Sequence, residues 1–313
     1  MIISVKKAAE LIRNGEVVGI PTETVYGLAA DAENAMAIRK TFELKGRPAD
    51  NPLIVHIPSS EFISKFSDFW SDDVHRLTET FWPGPLTIIL PKKNSVLDSI
   101  TAGLDSVALR SPDHEDTLSL LRQCGPVTAP SANRSGRPSP TRPQHVLDDF
   151  GDDFPVVDGG ECKIGIESTV LDLTSERPMI LRPGKISAEE LSDVISREVV
   201  SDPIPKSQAR KSPGTQYTHY KPSAVVMWMA GASEISRDND SLYIFHTGSN
   251  FSSAPNVIDF KGDYDALAKS LYDLYRTADR KNWDRIYIQP LPADSDHSII
   301  PALKNRIERS ADG

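Results

Sequence analysis

"TVLDLTSERPMILRPGKI", residues 169–186, sets two short apolar runs, 169–173 and 179–181, on either side of the polar segment TSERP. A parallel pair of strands needs a crossover of about a dozen residues or more, usually a helix, and this gap leaves no room for one. The sheet that holds these strands is therefore mixed rather than wholly parallel. Working outward, apolar runs at 17–20, 53–57, 86–90, 107–109, 127–129 and 156–157 read as further strands. Helical periodicity fills the intervals at about 72–81, 115–123, 143–149 and 188–197. Nearer the start, Ser4 precedes Val5, Ala8, Ala9 and Ile12 on one helical face with Gly15 as a stop, and Asn34 caps a helix reaching Leu44 before Gly46 and Pro48. Eight strands with interspersed helices make an α/β sheet.

Residues 198–222, "EVVSDPIPKSQARKSPGTQYTHYKP", carry no sustained period of 2 or 3.6 and read as a linker. Beyond it "AVVMWMA", "SLYIFHT", "NVIDF" and "RIYIQP" read as short buried strands, with helices at 264–278 and about 301–309. The division expected is 1–203 for a first domain, 204–222 for the linker and 223–313 for a smaller, Rossmann-like α/β domain. That second domain lacks G-x-G-x-x-G, so dinucleotide binding has no support.

The 313 residues exceed the usual size of one domain. With 35 Lys and Arg against 44 Asp and Glu, the net charge of -9 argues against a protein that grips nucleic acid by bulk charge, so any basic site is local. Cys124 and Cys162 form no Cys-x-x-Cys pair, which leaves no disulfide framework and no zinc site. No uncharged apolar run approaches the roughly 18 residues of a membrane span, and the expectation is a cytoplasmic protein without an anchor.

Four loops adjoin predicted strands and are rich in small polar, Gly, Pro or Arg residues: "PTETVYGLAADA" (21–32), "KGRPADNPLIVH" (45–56), "APSANRSGRPSPT" (129–141) and "GIESTVLDL" (165–173). Taken singly, Thr22, Thr24, Ser131 and Asn133 also read as local caps, and His56 as a hydrogen-bonded core residue. Together they place Lys45, Arg47, Arg110, Arg137 and Arg182 near strand ends, and so many cations repel one another unless a multiply charged anion sits among them. A triphosphate suits, with Arg forks and a Lys point charge on its oxygens. No Walker loop is present.

The ordered set P-T-E-T-V-Y-G-L, K-x-R-P-x-x-x-P-L, F-W-P-G-P-L-T, P-S-A-N-x-S-G and I-E-S-T-V-x-D resembles the YrdC-like threonylcarbamoyl-AMP synthases, and "SPGTQYTHYKP" resembles the linker of their two-domain, Sua-type members. The resemblance implies a twisted mixed sheet around a basic cavity. It also implies a nucleotidyltransferase that makes threonylcarbamoyl-AMP and pyrophosphate from L-threonine, bicarbonate and ATP, for modification of tRNA beside the anticodon by a separate transfer complex. By resemblance, Thr24, His56 and Ser168 face threonine. Lys45, Arg47 and Asn51 face the ATP phosphates, Lys45 and Arg47 as the catalytic pair, and Arg110, Ser131, Asn133, Ser139, Arg182 and Tyr220 complete the nucleotide side. Tyr217, His219 and Tyr220 belong to a lid that shields a hydrolysable mixed anhydride from water. Magnesium is expected with ATP, although no Asp/Glu cluster reads as a metal cage. Glu23 and Glu167 are the nearest carboxylates, and each reads either as a base or as a holder of Arg or Lys.

Two rivals remain. The same basic concavity would suit a non-catalytic module for double-stranded or transfer RNA, with strongly salt-dependent binding. A carbamoyl-transfer enzyme using carbamoyl phosphate is the other; related chains carry zinc-finger segments, which two cysteines cannot supply.

Overall fold

The computed structural model describes residues 1–201, 208, 210–212, 220–229, 240–248, 254–293 and 297–311. Its first part holds strands β1 (Ile2–Ile3), β2 (Val18–Ile20), β3 (Gly27–Asp31), β4 (Ile54–His56), β5 (Leu86–Pro91), β6 (Ser106–Arg110), β7 (Val127–Thr128), β8 (Val156–Val157), β9 (Thr169–Asp172) and β10 (Met179–Arg182). Between them lie helices α1 (Val5–Arg13), α2 (Ala35–Lys45), α3 (Asp72–Phe81), α4 (Asp98–Thr101), α5 (Glu115–Cys124), α6 (Pro143–Phe150) and α7 (Ala188–Ile195). The second part contains β11 (Val225–Trp228), β12 (Ser241–Phe245), β13 (Val257–Asp259), α8 (Tyr264–Arg280), β14 (Arg285–Ile288) and α9 (Ile300–Ala311).

Helix starts follow local chemistry. The Ser4 hydroxyl accepts from the Lys7 N–H, the Asn34 carbonyl from Met36 and Ala37, and Ser187 exchanges hydrogen bonds with Glu190 in a capping box. Gly46, at φ 61°, ends α2 in the left-handed conformation.

The ten strands of the first part form one sheet in the order β1-β8-β2-β3-β7-β4-β6-β5-β9-β10. It is mixed, as the 169–186 segment requires: β9 and β10 are antiparallel, while β4–β6 and β5–β9 run parallel. Sequence reading missed two strands. β1 has only two residues, and β3, "GLAAD", is buried on both faces by small side chains and so shows no alternation. The second sheet is parallel throughout, in the order β11-β14-β12-β13.

Two cores matter for the site. Ile38, Leu53, Val55, Leu86, Ile88, Leu109 and Leu171 pack one face of the large sheet and fix the ends of β4, β5, β6 and β9. Leu242, Ile244, Ile286 and Ile288 pack with Leu267, Leu271, Leu303 and Ile307 of α8 and α9, and this second core extends to Val25 and Ile166 of the first part. The two parts therefore share apolar contact beside the loops at 21–26 and 164–168. Gly165 marks how closely: its φ is +84°, and a Cβ there would lie 2.4 Å from the Lys269 Cα of α8. No described helix is long and apolar enough to cross a membrane.

Candidate active site

Strand ends build the cavity. In the parallel pair β4–β6, His56 is in register with Arg110, so both side chains leave the sheet together. The turn between antiparallel β2 and β3 brings Thr22 and Thr24 to the same place, the approach to β9 adds Glu167 and Ser168, and the end of β10 adds Arg182. Arg47, Pro52, Leu53, Ile54, Ala129, Pro130, Ser131 and Tyr220 complete the wall of this open-mouthed cavity.

Arg110 is nearly fully buried and organises one side. Its Nε donates to the Gly84 carbonyl at 3.1 Å and its Nη1 to the Thr24 hydroxyl at 2.9 Å. Its Nη2 sits 2.7 Å from the Glu23 carboxylate, an ion pair by distance whose angles fall short of a hydrogen bond. The Thr22 hydroxyl donates to the Val25 carbonyl at 2.7 Å and so accepts from Thr24 at 2.8 Å. Thr24 therefore receives Arg110 and gives to Thr22, which fixes its orientation.

His56 is buried beside Arg110. Burial first, and the Arg110 charge second, push its pKa from 6.5 down to about 3, so the ring is neutral at ordinary pH. Its Nδ1 lies 3.4 Å from the Ile54 carbonyl, which can only accept; the proton therefore sits on Nδ1 and Nε2 is left as an acceptor.

On the other side, Arg182 donates through Nε and Nη2 to the Ser168 carbonyl at 3.2 and 3.1 Å and through Nη2 to the Ser168 hydroxyl at 3.1 Å. The Ser168 hydroxyl also pairs with Thr87 at 2.8 Å. Arg47 reaches the carbonyls of Asn51 and Pro52 at 3.2 and 2.8 Å while facing the cavity.

Thus Thr24, Arg47, His56, Arg110, Ser131, Ser168, Arg182 and Tyr220 meet in one wall. Lys45, Asn51, Asn133 and Ser139 do not line it. Lys45 also corrects the expectation of a loop cation: it is the last residue of α2, buried, and its ammonium donates to the carbonyls of Ser131 and Asn133 at 2.5 and 2.7 Å. It thereby holds the 131–133 loop in place. Asn133 donates to the carbonyls of Arg134 and Arg137, and Ser139 to Glu167 at 2.6 Å. The amide nitrogen of Asn51 and the amide oxygen of Asn133 are buried without a hydrogen-bond partner among the described residues. Arg137 turns to Asp149 at 2.6 Å, outside the wall. Tyr217 and His219 lie outside the described residues.

Glu167 is no poised base. Burial alone would raise its pKa; the Arg306 and Arg182 charges and hydrogen bonds from Ser139 and Arg306 outweigh it and hold the group at about 2. Glu23 is engaged by Arg110. Among the described residues no group of three His, Cys, Asp or Glu side chains is placed to hold a metal ion. With both nearby carboxylates taken by guanidinium groups, these residues do not fit a protein-held magnesium site.

Sequence reasoning missed the apolar floor, Val25, Pro52, Leu53 and Ile54, and it missed Arg306 and Tyr272, which reach Glu167 from the second part. Arg306 had a signal: it falls within the stripe Ala302, Leu303, Ile307 and Ser310, where an arginine stays only with a buried partner.

The chain matches the Sua5/YciO/YrdC family profile, described as telomere recombination, over residues 10–184, and the profile of the threonylcarbamoyl-AMP synthase C-terminal domain over residues 186–312. The chain belongs to the Sua5/YciO/YrdC family. It is 39% identical to a threonylcarbamoyl-AMP synthase of Pyrococcus abyssi, over 98% of this chain and 94% of the relative. It is likewise 39% identical to a threonylcarbamoyl-AMP synthase of Bacillus subtilis, over 99% and 93%. A crystal structure of P. abyssi Sua5 complexed with L-threonine superposes with a TM-score of 0.88 at 38% identity, covering 98% of this chain and 94% of that one. The two-part Sua5 architecture, a mixed sheet joined to a smaller parallel one, is thus the architecture of this protein.

Proposed function

We propose that this protein is a threonylcarbamoyl-AMP synthase, a nucleotidyltransferase that condenses L-threonine, bicarbonate and ATP into threonylcarbamoyl-AMP and pyrophosphate. The observation that carries the reading is the meeting of Arg47, Arg110 and Arg182 with Thr24, His56 and Ser168 in one cavity, in a chain this similar to proteins of that name.

The residues have distinct work. Thr24, oriented by Arg110, and neutral His56, with Nε2 open as an acceptor, suit the hydroxyl and ammonium groups of threonine. The guanidinium groups receive the carboxylate and the phosphates. The threonine amine, as its free base, and bicarbonate form a carbamate, a nitrogen–carbon bond replacing a carbon–oxygen bond with release of water. The carbamate oxygen then attacks the α-phosphorus, and a phosphorus–oxygen bond to it forms as the bond to pyrophosphate breaks. Positioning and neutralisation of the departing charge supply the acceleration. Magnesium enters with the triphosphate.

Lys45 acts from behind the wall, setting the loop that presents Ser131. Tyr220 stands in the cavity wall, and the segment 204–222 to which it belongs serves as the lid. The product feeds threonylcarbamoyladenosine formation on tRNA through a separate transfer complex, in the cytoplasm on this reading. Against RNA binding as the main role, the site's cations converge on a concavity rather than forming a surface stripe.

The test is pyrophosphate release by the purified full chain with ATP, bicarbonate and each amino acid in turn. Release is expected with threonine and far less with serine. Equal release with all amino acids, or tight RNA binding without ATP turnover, overturns the reading.

A further inference from the structure

Glu167 stands in the cavity wall, yet most of its partners belong to the C-terminal part. Its Oε2 accepts from Arg306 Nε at 2.8 Å and from the Tyr272 hydroxyl at 3.1 Å; Oε1 accepts from Ser139 at 2.6 Å. Arg306 is completely buried. Tyr220, also in the wall, stacks on Tyr272 with ring centres 5.3 Å apart and lies beneath the Arg306 guanidinium at 5.5 Å. Arg182 holds Ser168, the next residue after Glu167. One buried carboxylate thus bonds one buried guanidinium from the second part, Arg306, and feels the charge of another from the first, Arg182. The packing of Lys269 on Gly165, two residues before Glu167, fixes α8 against the same loop.

We propose that Arg306 and Tyr272 are positioning residues of the active site: by saturating the Glu167 carboxylate from the C-terminal part, they keep it from drawing Arg182 away from Ser168 and the nucleotide. The C-terminal domain then acts on chemistry it does not touch. The low proton affinity of Glu167 agrees with this, since its charge is fully answered despite burial. Remove Arg306, and two outcomes compete: Glu167 captures Arg182, or it takes up a proton. Capture of Arg182 costs ATP binding more than the chemical step, whereas a protonated Glu167 leaves Arg182 in place.

The inference rests on the ATP-dependent reading above, and the experiment separates the two. Full-length Arg306→Gln, Arg306→Lys, Glu167→Gln and the Arg306→Gln/Glu167→Gln double variant are assayed for threonine-dependent pyrophosphate release from pH 5.5 to 8. Arg306→Gln is expected to raise KM for ATP roughly tenfold or more with a smaller change in kcat. Adding Glu167→Gln should recover most of that loss, and Arg306→Lys should fall between. The KM defect of Arg306→Gln should also shrink as pH falls, because a proton on Glu167 does what the guanidinium did. A double variant no better than Arg306→Gln, with a pH-independent KM ratio, means a merely structural role and overturns the proposal. If Arg306→Gln does not fold by circular dichroism, the same comparison is made between Tyr272→Phe and Tyr272→Phe/Glu167→Gln. A wild type without pyrophosphate release breaks the functional reading alone, and the comparison is then read as ATP affinity by calorimetry; a wild type that binds no ATP overturns both.

Discussion

The two parts of the molecule bury charge to opposite ends. In the first, Arg110, Arg182, Glu23 and Glu167 are gathered at the ends of strands around an open cavity, held by backbone carbonyls and by each other. In the second, the buried charges of Arg276 and Arg306 are answered by the first part, at Asp149 (2.9 Å) and Glu167 (2.8 Å). His145 shows the same logic: its Nδ1 accepts from the Thr141 N–H, so its Nε2 carries the proton and donates to Asp273 of α8 at 3.0 Å. The second part has a parallel sheet but uses its buried cations for docking. Topology alone did not say where the ligand goes; the destination of each charge does.

The sharpest way to break this contrast is Arg110→Ala. It strips Thr24 of its donor and leaves Glu23 as a buried, unanswered carboxylate, so pyrophosphate release should fall by about 10²–10³ and stability by ~3–5 kcal/mol, read by steady-state assay and urea unfolding. Retention of near-normal turnover breaks the assignment of that side of the cavity. Arg47→Ala should leave unfolding almost unchanged while raising KM for ATP about 10–100-fold, because its side chain serves the cavity and two nearby carbonyls. Lys45→Ala should differ from it, lowering stability as well, since the ammonium ties two carbonyls of another loop.

Acid sharpens the comparison next. A His with a depressed native pKa binds its proton mainly in the unfolded chain, so its contribution to stability is lost as pH falls below 6.5 toward 3. Between pH 7 and 5 the native state should lose about 2 kcal/mol on this ground, and His56→Gln should flatten the difference in urea midpoints. Glu167, lowered from 4.5 to about 2, stabilises the fold above pH 4.5 and adds its own loss only below that. The smallest effect belongs to the exposed Arg39–Glu43 pair on α2, where Arg39→Ala should shift the thermal midpoint by about 1 °C or less and leave turnover alone.

Most of the architecture was legible because apolar runs, caps and glycine stops act locally. Ser4 and Asn34 cap the helices that begin beside them, and the short gap between β9 and β10 required a mixed sheet. β3 escaped because alanines buried on both faces leave no alternation to read. In the site, strand-end position marked Thr24, His56, Arg110 and Arg182, all of which line the cavity. Lys45 carried the same mark and lies behind the wall. Its charge could be read in the sequence, whereas the carbonyls that claim it are 86 and 88 residues away.

What the residues determined unaided was which groups carry charge and which segments bury apolar surface, since both follow from side-chain chemistry over a few neighbours. Only the tertiary structure decided which charge answers which. That Glu167 is held by Arg306, 139 residues later, depends on how α9 docks. A buried ion pair is a property of two surfaces brought together, and neither surface records its partner in its own spacing.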